Sequence, residues 1–103
     1  MTVLRVDEGM AMVNRIVRAM IRLGELEVDE LRWTDHDDTA GFTNPSTPVI
    51  TLYRDASEVT AVCITWRRLE RLDQLAARRK TRALIRACYE VSTGRRPVPT
   101  HRA

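Results

Sequence analysis

The stretch WRRLERLDQLAARRKTRALIRACYE, residues 66–90, carries eight basic residues against three acidic ones. A guanidinium group is a planar fork that meets phosphate or carboxylate oxygens two at a time, so a dense run of arginine is chemistry for holding an anion. On a helical wheel Arg68, Arg71, Arg78, Arg79, Arg82 and Arg86 share one arc, with Leu75 among them. Leu69, Leu72, Ala76, Ala83, Leu84, Ala87 and Val91 share another, the expected core face.

Solvated helices usually interleave opposite charges three or four residues apart. That support is missing here where the positive charge is densest. Glu70 and Asp73 sit early in the segment, Glu90 reaches only Arg86, and Arg78, Arg79, Lys80 and Arg82 have no acidic residue within four positions. The counter-charge is bulk salt, the chain's own acidic segment (Glu25, Glu27, Asp29, Glu30, Asp35, Asp37 and Asp38), or an external anion.

Other chemistry-bearing residues are sparse. Asp35-His36-Asp37-Asp38 combines carboxylates with an imidazole, but no second ligand cluster accompanies it and the spacing is not that of a calcium loop. No metal is expected there. With Phe42, whose ring either stacks on a partner or pins its own loop, these residues form a candidate partner-contact loop. Cys63 and Cys88 lie in apolar surroundings without metal-like spacing and read as buried thiols. There is no Gly-rich phosphate loop, nucleophile elbow or HExxH, and the two histidines are His36 and His101. Neither an enzyme nor a cofactor is expected.

The elements that must position these groups follow from periodicity. Val3, Val6, Met10, Val13, Val17, Met20 and Ile21 trace one face of a helix from about Asp7, with Thr2 or Asp7 as its cap and Gly24 as its stop. Arg15, Arg18 and Arg22 lie opposite. ELEVDELRWT reads as a strand near Glu30–Thr34, and residues 35–48, rich in Asp, Gly, Ser and Pro, as a long loop. Val49–Arg54 and Glu58–Trp66 form a β-hairpin around Asp55-Ala56-Ser57, followed by one helix from Arg67 to Val91. The whole is α+β: an N-terminal helix, a two- or three-stranded antiparallel sheet and a long basic amphipathic C-terminal helix. Residues 1–92 make a single domain, and 93–103 a basic, Pro-containing flexible tail with Arg95 and Arg96.

Helix, three strands, helix is also the order of double-stranded RNA-binding domains. The lysine-rich start of the second helix in that family is replaced here by Arg67-Arg68-Leu69-Glu70-Arg71, and its characteristic loop residues are absent, so the family is not assigned.

Charge is segregated: residues 1–53 hold five Arg and nine Asp or Glu, residues 54–103 twelve Lys or Arg and five Asp or Glu. Of the 17 basic residues only Lys80 is lysine, a bias that GC-rich coding also produces. With no apolar run of membrane length and no signal-peptide core, a cytoplasmic protein without membrane contact is expected. The function expected is that of a small accessory or regulatory protein touching nucleic-acid phosphates through Arg68, Arg71, Arg78, Arg79, Arg82 and Arg86, extended by Arg95 and Arg96. The alternative is a protein-binding inhibitor or adaptor, of the kind phages and mobile elements encode, docking on an acidic surface of a larger host protein. The broad apolar face of the first helix makes a homodimer a third expectation.

Overall fold

In a computed structural model the described residues are 4–36 and 47–94, with backbone alone at 35 and 36. The helix α1 (Val6–Arg22) is followed by three strands, β1 (Glu30–His36), β2 (Thr47–Arg54) and β3 (Ser57–Cys63), then by α2 (Trp66–Glu70) and α3 (Leu75–Ser92). The strands form one antiparallel sheet in the order β1-β2-β3. Ile50 of the central strand stands opposite Trp33 on one side and Val62 on the other.

α1 begins one turn later than a Thr2 cap would place it. Arg5 is its N-cap, and the Glu8 carboxylate accepts the Arg5 N–H at 2.9 Å. Asp7 and Glu8 put negative charge in the first turn, where the helix dipole favours it. Gly24 ends the helix as expected, at φ 78°: its N–H donates to the Ile21 carbonyl and that of Glu25 to Met20. This paired closure needs a left-handed residue, which glycine supplies without strain.

β1 runs past its expected end. The backbone of Asp35 and His36, assigned to the loop by composition, pairs with Pro48 and Thr47. Pro48 sits at the start of β2, where a missing N–H is tolerated, and its carbonyl accepts from Ile64. β3 in turn ends at Cys63, and Trp66 opens α2 behind a Thr65 cap whose hydroxyl accepts the Arg68 N–H at 3.2 Å.

The core is one cluster in which Val13, Val17 and Met20 of α1 meet Ile50, Leu52 and Val62 of the sheet, Leu69 of α2, Leu72 of the segment between α2 and α3, and Ile85 and Tyr89 of α3. Met12 and Ile16, which widen the apolar face of α1, pack against this core, while Leu23 is 69% exposed. Trp33 donates to the Asn14 side chain at 2.7 Å, and the Tyr89 hydroxyl accepts the Glu27 N–H at 3.1 Å.

The expected continuous helix over 67–91 is interrupted at residues 71–74. The reason is geometric. In a straight helix Leu69 and Ile85 lie sixteen positions apart, about 160° around the axis, yet both are fully buried. A break resets the phase so that Thr81, Ile85 and Tyr89 face inward, leaving Ala76, Ala83 and Val91 exposed where the single wheel put them in the core.

The two thiols also differ from expectation. Cys63 is exposed and Cys88 half-buried, and burial pushes the Cys88 thiol above its usual range, with a smaller push from Cys63. The alternation of β3 explains the exposure, since Thr60 and Val62 point inward and Ala61 and Cys63 outward. Thiol labelling of the native protein at neutral pH is expected to give one fast site, Cys63, and one slow site, Cys88. Equal rates measured by mass spectrometry would contradict this arrangement.

Candidate functional site

The break at 71–74 divides the arginine stripe into two surfaces. The first surrounds a concavity of about 250 Å³ where α2 turns into α3, lined by Arg67, Arg68, Arg71 and Lys80 together with Thr65 and Gln74. Arg67, Arg71 and Lys80 are exposed and Arg68 is half-buried. None of these four cations makes an ion pair with a described residue. Glu70 and Asp73, between them in sequence, make no such pair either. The first turn of α3 has no acidic residue and no side-chain cap from Gln74, so the positive end of its dipole adds to the same potential.

The second surface is a wider groove of about 510 Å³ along α3, lined by Arg79, Arg82, Ala83 and Arg86 with Glu25 at its edge. The Glu25 carboxylate accepts from Arg82 at 2.6 Å from Nη2 and 3.2 Å from Nε, and lies 3.8 Å from Arg86 Nη1. Arg86 Nε also donates to Glu90 at 2.9 Å. Arg79 is exposed and makes no ion pair with a described residue.

Among the described carboxylates of the acidic segment, Glu25 is the one that pairs with arginines of α3. Glu27 pairs with Arg54 at 3.0 Å, Asp29 accepts the Asp55 N–H at 2.9 Å, and Glu30 pairs with Arg32 within the sheet. Arg78, expected in the binding stripe, is half-buried and turns its guanidinium to the Leu72 carbonyl at 3.4 Å, so it supports the junction from behind. Of the remaining candidates, Asp37, Asp38, Phe42, Arg95 and Arg96 lie outside the described residues, and of Asp35 and His36 only the strand backbone is described.

Sequence reasoning left Arg67 and Lys80 out of the binding stripe and named Glu25 only as one of seven candidate counter-charges. Arg67 and Lys80 were in the basic run but fell off the arc of a helix drawn without a break. Glu25 follows Gly24, and a left-handed stop that turns the next side chain back towards a neighbouring helix is the only local signal for it.

The environment of Glu25 has a pH consequence. Its hydrogen bond from Arg82, with the positive charges of Arg82 and Arg86, outweighs partial desolvation and holds the carboxyl below its usual range. A carboxyl with a lowered folded pKa contributes stability that is complete above the ordinary carboxylate range and is lost as pH falls through the lowered value. The urea midpoint of Glu25→Gln is thus expected to fall below that of the parent at neutral pH. The gap should close in acid, and a gap that persists unchanged at the lowest pH where the fold survives would contradict the pairing.

No helix among the described residues is long and apolar enough to cross a membrane, and no cluster of three or more metal-ligating side chains occurs among them. No family model, curated protein or solved structure matches the chain.

Proposed function

We propose that this domain is a small non-enzymatic accessory or regulatory protein that binds nucleic acid by its phosphate backbone. The observation that carries the reading is the convergence of Arg67, Arg68, Arg71 and Lys80 on one concavity, where none of the four makes an ion pair with a described residue. Like charges brought together without internal compensation raise a local positive potential, and a phosphate backbone relieves it while releasing its condensed counterions. Arg79, Arg82 and Arg86 continue the surface along α3, and Arg95 and Arg96 extend it in sequence.

The contacts are to phosphates and carry little base information. Single-stranded recognition usually needs exposed aromatic platforms, whereas Trp33, Tyr53 and Trp66 are partly buried here and Tyr89 fully. A duplex is the substrate this surface suits. The test is fluorescence anisotropy with a labelled duplex, expected to show micromolar or tighter binding at about 50 mM salt that weakens steeply towards about 200 mM. Absence of binding at micromolar protein in the low-salt buffer would sink the reading.

One observation favours the adaptor alternative. Leu75 is 54% exposed between Gln74 and Ala76, both of which line the basic concavity. An exposed apolar side chain next to a basic concavity suits an acidic protein surface as well. Recovery of a single stoichiometric protein from nuclease-treated host extract, with no duplex binding, would decide for it.

A further inference from the structure

We infer that Glu25 is an internal stand-in for phosphate, occupying the arginine groove on α3 until a nucleic-acid phosphate displaces it. This rests on the nucleic-acid reading and concerns how its second surface is controlled.

The argument begins with the geometry of the occupied groove. A carboxylate gripped by both Nη2 and Nε of Arg82, with Arg86 Nη1 at 3.8 Å, is the arrangement a guanidinium makes with a phosphate. The arginines of the groove are therefore already set in a geometry that accepts an anion. Arg79 lines the same groove and makes no ion pair with a described residue, so the site has positive charge beyond what Glu25 neutralises. Beside the Glu25 carboxylate the groove still offers about 510 Å³ of open space.

The way Glu25 is held makes displacement local. Its backbone is fixed by the Gly24 closure, with the Glu25 N–H on the Met20 carbonyl at 2.9 Å. Only the side chain has to turn away, and its carboxylate would then point to solvent beside α1. No helix or strand has to move. The cost of binding at this groove is the pairing of Glu25 with Arg82 and, more weakly, with Arg86, so Glu25 lowers the affinity of the groove without closing it. The junction concavity has no such occupant, and it is engaged first. The second groove adds contacts only where the partner's phosphate density outcompetes one carboxylate. The domain thereby favours an extended polyanion over small anions and over isolated carboxylates on proteins.

The experiment compares the parent protein, Glu25→Gln, and Glu58→Gln by anisotropy against the same short duplex across a salt series. Glu58 is exposed on β3 and makes no ion pair with a described residue, so its variant carries the same change in net charge without freeing Arg82. Glu25→Gln is expected to bind about three- to tenfold more tightly, with a log–log salt slope steeper by about one to two, as one or two further phosphate contacts require. Glu58→Gln is expected to leave the slope unchanged. Adding Arg82→Ala to the Glu25→Gln background is expected to abolish the gain, a coupling that general charge effects do not produce.

If the parent binds duplex and Glu25→Gln matches it in affinity and slope, the stand-in role is overturned while the nucleic-acid reading survives. An equal gain in Glu58→Gln overturns it too, by reducing the effect to net charge. If no variant binds at low salt, both readings fall. An independent measurement uses the parent chain alone: the Glu25 carboxyl carbon resonance should move towards that of a free glutamate as duplex is added, and a fixed resonance through saturation would overturn the displacement.

Discussion

Replacing Gly9 by alanine is expected to lower the stability of the domain by about 2 kcal/mol or more, although alanine is the better helix former by about 1 kcal/mol. Gly9 is buried in α1 where the helix crosses the start of the C-terminal half. A Cβ there would stand 2.8 Å from the Leu69 carbonyl carbon and 2.9 Å from the Leu69 Cβ, and closer still to the carbonyl oxygen. Two of those three atoms are backbone, so no rotamer change removes the clash. Relief requires α1 and α2 to separate, which loosens Val13, Leu69 and Leu72 together. In urea the midpoint should fall with the slope nearly unchanged, and for a domain of this size the melting temperature should drop by roughly 4–8 °C per kcal/mol. Gly9→Val should be worse. A Gly9→Ala protein as stable as the parent would mean that the helices do not cross so closely. Because α2 carries Arg67 and Arg68, the same variant is expected to weaken nucleic-acid binding beyond what its folded fraction explains.

The largest effect on binding is expected from neutralising the junction surface. The variant Arg67→Ala, Arg68→Ala, Arg71→Ala and Lys80→Ala removes four cations that converge on the concavity and make no ion pair with a described residue. If each meets one phosphate, the log–log salt slope becomes shallower by about 3.6, and at about 50 mM salt affinity falls by two orders of magnitude or so. Stability should change little or rise slightly, because removing like charges from one patch relieves repulsion, and surface changes of this kind usually stay within about 0.5 kcal/mol each. Loss of binding without loss of fold is the discriminating pattern. A variant at Arg15, Arg18 and Arg22, three cations exposed on α1 away from the concavity, serves as the charge control when compared per charge removed. Equal weakening by both sets would show that net charge, and not the junction, holds the partner.

The α+β architecture was legible from the chain alone because its signals are local. The face of α1 repeats at helical spacing and Gly24 ends it, and the β-branched runs on either side of Asp55-Ala56 close as a tight hairpin with both turn residues at positive φ. β1 was harder to place. Leu31 and Trp33 alternate like a strand, but its far end runs into residues whose composition says loop, and pairing with Pro48 and Thr47 extends it nonetheless. Strand length is settled by the neighbour that supplies hydrogen bonds, which is not adjacent in sequence.

The site was legible as a charge pattern and not as a shape. That residues 66–90 are rich in arginine and poor in nearby carboxylates is a property of the sequence, and it identified the surface worth testing. Nothing between Arg71 and Gln74 announces a break, since no glycine or proline stands there. The break comes from the demand that Leu69, Leu72, Ile85 and Tyr89 reach one core, a condition set by α1 and the sheet. Once the helix is cut, the stripe becomes two surfaces: Arg67 and Lys80 join the first, Arg78 turns to the junction backbone, and Arg79, Arg82 and Arg86 keep the second. Which carboxylate answers which arginine was likewise decided by the fold, because seven acidic residues between 25 and 38 were candidates and the turn after α1 delivers Glu25 to Arg82. The sequence alone determined how much charge this protein carries, its sign and the elements that bear it, since these depend on composition and short-range periodicity. Which charges stand together and which are already paired was decided only by the tertiary structure, because charge pairing depends on distances of a few ångströms that packing alone sets.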